Sequence, residues 1–320
     1  MKDTNIIHFG HSPDADDAFM FYGLAQKIVT VPGYHVEHVL QDIQSLNQRA
    51  MTQADLEVTA ISAAVYPQVA HCYRIMNTGA SMGRGYGPMV VGNSGGGPER
   101  LAGLRIAIPG EQTTAFLLLR LYLGDVVQTI EFRPVHFEHI PQAVLHGEVD
   151  AGLIIHESQL THGTIGLRSL VDLGRWWEEG TGLPIPLGLD VVRRDLGAHL
   201  SGEIDRALRR SIEAAYAEEE AALDYALSYG RGVDRETCRT FVKMYVNQDT
   251  LDLGESGRCA LEALFSQAHK SGLLDEMPPL DVIPGSVVPS DPLRGVGHEV
   301  GDLEARTASG QPRRRVQHDR

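Results

Sequence analysis

The feature that most constrains the fold is the repeated order of strand, loop and helix along the first half of the chain. A short apolar run at residues 5–10 is followed by a turn and by a helix-like segment at 16–25. The same order returns at residues 104–109 and 115–123. Alternating strands and helices are typical of α/β proteins, because each helix returns the chain to a parallel neighbour. The pattern therefore predicts a mostly parallel, doubly wound sheet.

The last third of the chain has a different pattern. Apolar residues at helical spacing predict one long amphipathic helix over 201–229 and two more helices over 235–246 and 255–271. The stretch 284–320 is rich in glycine, proline and charge and has few large apolar residues. Such a composition cannot bury enough apolar surface to order a chain, so we predict a disordered tail there.

Charge and cysteine usage limit the partners and the compartment. The formal net charge is −14, which argues against nucleic acid and anionic membranes, because both need clustered Lys and Arg. We find neither a membrane-spanning apolar run nor a signal peptide. The three widely spaced cysteines fit a reducing compartment without a disulfide framework. We therefore expect a cytoplasmic protein that has a small-molecule ligand.

A glycine turn followed by two threonines is the strongest candidate for an anion site. Gly110 ends a strand, and Thr113 and Thr114 precede the apolar helix that begins near Ala115. The free backbone N–H groups at the start of a helix, together with two hydroxyls, can hold a carboxylate or a phosphate. The alternative is that one of the threonines only caps the helix.

A histidine follows a buried-looking strand in the middle of the chain. His156 comes directly after the apolar run at 151–155, and in open α/β sheets ligands bind beyond the carboxyl ends of strands. A histidine side chain there can act as a general base. The alternative is a histidine that ends the strand and bonds only to backbone.

Three other polar residues occupy similar positions. Ser12 lies beyond the first strand, where its hydroxyl and the early N–H groups of the next helix could hold an anion, although the aspartates that follow oppose this. Asn47 on a polar helix and Ser62 at the end of a short strand could each donate a hydrogen bond into a cleft.

The histidine pairs of the chain lack a third ligand at metalloprotease spacing, so we expect no metal site.

Several segments together resemble one enzyme family. They are residues 12–21, 110–115, 149–157, 183–188, 245–247 and 251–254. In this order they resemble the 1,4-dihydroxy-6-naphthoate synthases of the futalosine route to menaquinone. The resemblance implies an α/β fold like that of type II periplasmic solute-binding proteins, with a ligand cleft between two lobes. We expect one lobe from residues 1–95 and 196–283 and the other from residues 96–195.

The same resemblance implies a function. The family cleaves cyclic dehypoxanthine futalosine to the dihydroxynaphthoate and a sugar-derived fragment, as a lyase without metal or organic cofactor. It implies that His156 is the catalytic base and that a small anionic substrate is bound. The implied binding positions are Ala60, Ile61, Ser62, Thr114 and Ala115, to which we add Thr113, Ser12 and Asn47. A homodimer is a possible assembly.

Two other functions remain open from the sequence. A chorismate dehydratase of the same pathway resembles this family in fold, and a histidine after the 149–155 strand favours the naphthoate synthase. A non-catalytic solute-binding protein also shares the fold, and fold alone does not decide function.

Overall fold

The computed structural model describes residues 5–94 and 100–285. Within these ranges the strands are β1 (Asn5–His11), β2 (Tyr34–Leu40), β3 (Val58–Ser62), β4 (Tyr73–Ile75), β5 (Ser81–Gly83), β6 (Met89–Gly92), β7 (Arg105–Ile108), β8 (Glu131–Pro134), β9 (Ala151–Ile154), β10 (Arg168–Asp172) and β11 (Ile185–Arg193). The helices are α1 (Ala15–Ala25), α2 (Ile43–Thr52), α3 (Tyr66–Val69), α4 (Thr114–Leu123), α5 (Ile140–Leu145), α6 (Ser158–Thr161), α7 (Leu173–Thr181), α8 (Gly197–Ala217), α9 (Glu219–Leu227), α10 (Arg235–Tyr245), α11 (Gln248–Leu251) and α12 (Gly254–Lys270).

The strands form two sheets, and both are mixed. The first has the order β2-β1-β3-β11-β4, with β5 paired to β11, and the second has the order β10-β6-β9-β7-β8. β1 is parallel to β2 and β3, and β7 is parallel to β8 and β9. Every antiparallel pair of named strands involves β6 or β11, the strands at which the chain passes from one sheet to the other. The predicted α/β, two-lobed architecture is confirmed, with fewer parallel pairs than expected.

Strand pairing bears on the predicted lobe boundaries. β6 belongs to the second sheet and β11 to the first, so the chain passes between the sheets before residue 95 and again before residue 195. A glycine-rich segment in the sequence indicates an interruption between helices and strands. It does not show which strand is the first to belong to the other sheet. The exact division into lobes stays a prediction. Residues 95–99 and all but two residues of the predicted tail lie outside the described residues.

The helical layer agrees with the sequence except at one point. α10 and α12 lie where helices were predicted, but the predicted 201–229 helix is two helices that meet at Glu218, whose φ is −118° and ψ is 42°. Both α8 and α9 pack against α1, and the Tyr22 hydroxyl donates to Glu218 Oε2 at 2.8 Å. Because the apolar spacing continues across the break, the sequence pattern gives no sign of it.

Helix α1 is buried almost all round. Its residues from Ala15 to Leu24 are buried, because the helix packs against α8, α9 and α10 on one side and, through Phe21, against Phe9 and His11 of β1 on the other. Beyond the two aspartates of its first turn the helix is almost wholly apolar, and a helix that is apolar on most sides is stable in such a buried position. This packing fixes the N-terminus of α1 and its aspartates beside the end of β1. Among the described residues, no helix combines the length and the apolarity needed to cross a membrane.

One buried acid in the helical layer yields a stability prediction. Asp205 on α8 accepts a hydrogen bond from the Thr78 N–H at 3.0 Å, and burial raises its pKa from 3.8 to about 6. The folded protein therefore holds the proton up to about pH 6, whereas the unfolded chain releases it near pH 3.8. This group's contribution to stability is present below about pH 4 and is lost as pH rises towards 6.

We expect Asp205→Asn to remove that loss, because the amide oxygen still accepts from Thr78 and never ionises. The variant should be more stable than the parent above pH 6, by about 1–2 kcal/mol once a weaker hydrogen bond is allowed for, and the difference should shrink towards pH 4. Urea unfolding at pH 4, 5, 6 and 7.5 measures it. A stability difference that does not change with pH would contradict a raised pKa.

Candidate active site

A cavity lies between the two sheets, where β1, β3, β7 and β9 end and where β11 crosses. Its volume is about 120 Å³, and since a water needs roughly 10–15 Å³ in the same measure, it suits a small molecule. Eight residues singled out from the sequence line it together: Ser12, Ala60, Ile61, Ser62, Thr113, Thr114, Ala115 and His156. The structure brings them to one place, and their role in binding stays a prediction.

The start of helix α4 forms one end of the cavity. Thr113 is the N-cap, and its hydroxyl oxygen accepts from the Phe116 N–H at 3.2 Å. The N–H groups of Thr114 and Ala115 are the first two of the helix, and they have no acceptor among the described residues. Both readings of the threonines thus apply, because Thr113 caps the helix while the next two N–H groups remain available to an anion.

The hydroxyl of Thr114 connects the two sides of the cavity. It donates to the Leu187 carbonyl oxygen at 2.6 Å and accepts from the Ala64 N–H at 3.2 Å. Leu187 belongs to β11 of the first sheet, whereas Thr114 follows β7 of the second. These bonds fix the position of the first two N–H groups of α4 relative to the opposite wall.

Asn47 is the one predicted ligand residue that does not line the cavity. Its side chain is fully buried, with Nδ2 donating to Ser62 Oγ at 2.9 Å and Oδ1 accepting from the Ser62 N–H at 2.8 Å. Nδ2 also approaches the Gln112 carbonyl oxygen at 3.4 Å. Both ends of the amide bond to protein atoms, so Asn47 orients Ser62, and a contact between Asn47 and a ligand stays an untested prediction. The type of residue was recognised from the sequence, but its direction was not.

A close approach at Gly110 explains why the turn before α4 needs glycine. The residue has a φ of 154°, and a Cβ there would collide with the side chain of Gln44. Gln44 in turn donates a hydrogen bond to Gln112 Oε1 across the cleft. The turn is therefore built to bring the backbone of the second lobe against helix α2.

His156 lies in the left-handed backbone region, with a φ of 58°. Such a conformation costs a non-glycine residue on the order of 1 kcal/mol, and residues held in this way cluster at active sites. It turns the ring out of the strand direction and into the cavity, where Phe137 packs against it with ring centroids 4.5 Å apart. The side chain is 16% exposed.

The two ring nitrogens of His156 have different surroundings. Nδ1 lies 3.3 Å from Oδ2 of the buried Asp14, whereas Nε2 is buried and has no partner among the described residues. A carboxylate at Nδ1 favours the tautomer with its proton on Nδ1, which leaves a lone pair on Nε2. This arrangement can remove a proton from a molecule in the cavity. The sequence did not show the pair, because Asp14 follows β1 and His156 follows β9.

Three further acids face the same cavity. Burial raises the pKa of Asp16, Asp17 and Asp190 well above 3.8, and neighbouring carboxylates raise it further. Neither carboxyl oxygen of Asp190 has a partner among the described residues, and Asp17 Oδ2 accepts from the Ser12 N–H at 2.6 Å. In the neutral form such carboxyls both donate and accept, which suits the hydroxyl and carbonyl oxygens of a ligand.

Some lining residues were not proposed as ligands from the sequence. Tyr245 on α10 donates from its hydroxyl to Gln159 Oε1 at 2.8 Å, and both residues line the cavity together with Asp190. Two of the segments that carry the family resemblance contain such lining residues. Tyr245 lies in 245–247, and Leu187 and Gly188 lie in 183–188. Nothing in the spacing indicated that α10, a surface-like helix by pattern, reaches the cleft.

The fold and the cleft define a class of two-lobed α/β proteins, the periplasmic-binding-protein-like fold. The periplasmic aliphatic sulphonate-binding protein of Escherichia coli superposes with a TM-score of 0.60 over 99% of this chain and 98% of its own, at 10% identity. A solved protein of Archaeoglobus fulgidus is much more similar, with 46% identity and a TM-score of 0.79 over 84% of this chain and 98% of its own.

Within this class the chain matches one family. The model of the menaquinone biosynthesis family matches residues 7–270. A 1,4-dihydroxy-6-naphthoate synthase of Thermus thermophilus is 43% identical over 85% of this chain and 97% of its own, and that of Streptomyces coelicolor is 37% identical over 86% and 97%. The chain belongs to this menaquinone biosynthesis family, and the sequence-based assignment to it is confirmed.

Proposed function

We propose that this protein is a carbon–carbon lyase that converts cyclic dehypoxanthine futalosine to 1,4-dihydroxy-6-naphthoate, with His156 as the general base. The observation that carries the proposal is His156 itself, which lines the cavity with Nδ1 3.3 Å from Asp14 Oδ2 and with Nε2 unpartnered among the described residues. Both named relatives are 1,4-dihydroxy-6-naphthoate synthases. In this proposal the enzyme works in the cytoplasm, in line with its three free cysteines.

The two ends of the cavity suit the two parts of this substrate. Its aromatic ring bears a carboxylate, which the N–H groups of Thr114 and Ala115 would hold. Its sugar-derived part bears hydroxyl groups, which the carboxyls of Asp17 and Asp190 would contact. With the substrate fixed at both ends in this way, the bond to be broken would lie next to His156.

The chemistry follows from the position of the base. Nε2 of His156 takes the proton of a hydroxyl in the sugar-derived part, and the alkoxide oxygen forms a carbonyl as the adjacent carbon–carbon bond breaks. The electron pair of that bond moves into the neighbouring ring system, which takes the proton back from the imidazolium at an oxygen and becomes aromatic, so that the base is regenerated. Asp14 stabilises the imidazolium formed at His156, and a positioned base of this kind contributes about a hundred- to ten-thousandfold in rate.

A paired substrate assay tests the proposal. The purified protein is incubated separately with cyclic dehypoxanthine futalosine and with chorismate, and the products are followed by liquid chromatography and mass spectrometry. We expect 1,4-dihydroxy-6-naphthoate from the first and no reaction with the second. Conversion of chorismate would instead make the protein a dehydratase, and tight binding without turnover of either compound would make it a binding protein.

A further inference from the structure

An arginine outside every segment that carries the family resemblance reaches the candidate active site. Arg231 lies in the turn between α9 and α10, with a φ of 51°. These helices pack against α1 and therefore belong with the first sheet. The guanidinium ion-pairs with Asp14 Oδ1, and its Nη2 donates to the Pro13 carbonyl oxygen at 3.2 Å. On this side Arg231 holds the loop that supplies the partner of His156.

The same guanidinium also contacts the second lobe. Nη1 lies 3.1 Å from Glu157 Oε2, and Nε pairs with Glu138. Its Cζ lies 4.7 Å from the ring centroid of Phe137, the residue that packs against His156. Glu157 is the neighbour of His156 in sequence. One side chain therefore touches the elements that carry both halves of the His156–Asp14 pair.

Charge and burial make this contact costly to lose. Burial lowers the pKa of Arg231, but the charges of Asp14, Glu157 and Glu138 outweigh it and leave the pKa above its ordinary value. Asp14 and Glu157 are 2% and 4% exposed. Without the guanidinium, two buried carboxyl groups would lose the cation that they share, and repulsion between their charges would favour moving them apart.

We propose that Arg231 is a positioning residue that joins the two lobes beside the cleft and holds Asp14 against Nδ1 of His156. The planar guanidinium donates to several carboxylates at once through separate N–H groups, and a lysine ammonium cannot do so with the same geometry. The proposal rests on the proposed function of His156 as the base. It adds that the base is fully oriented only while the guanidinium bridges Asp14 and Glu157.

Kinetics of Arg231→Gln and Arg231→Lys test the proposal. We expect kcat to fall about tenfold in the glutamine variant, because a small misplacement of the base is amplified in the rate, and to fall less in the lysine variant. KM should change less than threefold, since the anion site at Thr114 is untouched. Arg235→Gln is the matched control, because Arg235 pairs with Glu220 and Asp224 within the helical layer.

A double-mutant cycle separates positioning from mere stability. If Arg231 acts through Asp14, then Arg231→Gln should add little to the loss of kcat already caused by Asp14→Asn. Circular dichroism confirms that each variant is folded at the assay temperature. Independent, multiplicative losses in the two variants would overturn the proposal, and so would a raised KM with an unchanged kcat.

A spectroscopic readout keeps the test independent of the substrate. Nitrogen-15 spectra of labelled histidine report which ring nitrogen carries the proton, and the signal of His156 is identified by its loss in His156→Asn. We expect the Nδ1–H tautomer in the parent protein and a mixture of tautomers in Arg231→Gln. Absence of turnover in the parent would defeat the proposed function alone, whereas an unchanged tautomer in Arg231→Gln would overturn the role of Arg231.

Discussion

Replacing His156 with asparagine is expected to lower kcat by about a hundred- to ten-thousandfold while binding of the product is retained. Asparagine is the sharpest choice, because it tolerates the left-handed backbone that His156 adopts. Its amide can still accept or donate a hydrogen bond beside Asp14 but cannot take up a proton at neutral pH. The loss of rate would therefore report the missing base and not a disturbed fold.

Steady-state kinetics with the cyclic futalosine derivative measure the rate, and a thermal shift with 1,4-dihydroxy-6-naphthoate measures binding. His146→Asn is the control, because His146 is exposed at the end of α5, remote from the cavity lining. We expect the control to keep the parent's kcat. Full activity in His156→Asn would remove the imidazole from the mechanism.

Replacing Thr114 with proline is expected to weaken binding of the substrate and product by about ten- to a hundredfold. Thr114 is the first residue of α4, and the extended backbone of Thr113, with φ −76° and ψ 145°, is the conformation that precedes proline most readily. The helix should therefore form as before. The change deletes one of the two N–H groups available to a carboxylate, and a hydrogen bond to a charged group contributes about 1.5–3 kcal/mol.

The proline variant also loses a hydroxyl, so Thr114→Ala is its matched control. The alanine variant loses the bonds to Leu187 and Ala64 but keeps the N–H. Titration calorimetry with 1,4-dihydroxy-6-naphthoate compares the two variants. Equal affinities would show that the ligand carboxylate does not bind at the start of α4.

The sequence predicts the local parts of this site because strand, turn and helix signals are short-range. The turn at Gly110 with the cap at Thr113, and the strand that ends before His156, can each be recognised within about ten residues. Their meeting in one cavity follows from the rule that ligands bind beyond the carboxyl ends of strands. The resemblance to the family added Ala60 and Ile61, which have no polar side chain to mark them.

The features of the site that the sequence did not predict depend on contacts between segments that are distant along the chain. The pairing of Asp14 with His156 requires two sheets to face each other, which no window of sequence contains. The direction of the Asn47 side chain depends on Ser62, which lies on another element. Arg231 sits in a turn whose glycines only predict a break between helices. Sequence patterns identify residue types and elements, whereas tertiary packing decides which side chains meet.

The His156–Asp14 pair takes one residue from each wall of the cleft, and Nδ1 of His156 and Oδ2 of Asp14 already stand 3.3 Å apart. In the proposed mechanism, any movement that separated the walls would also separate the imidazole from its carboxylate. Substitutions far from the cavity would then alter the rate without touching a residue that lines it. A fold shared with periplasmic binding proteins would in this way serve catalysis without a further domain.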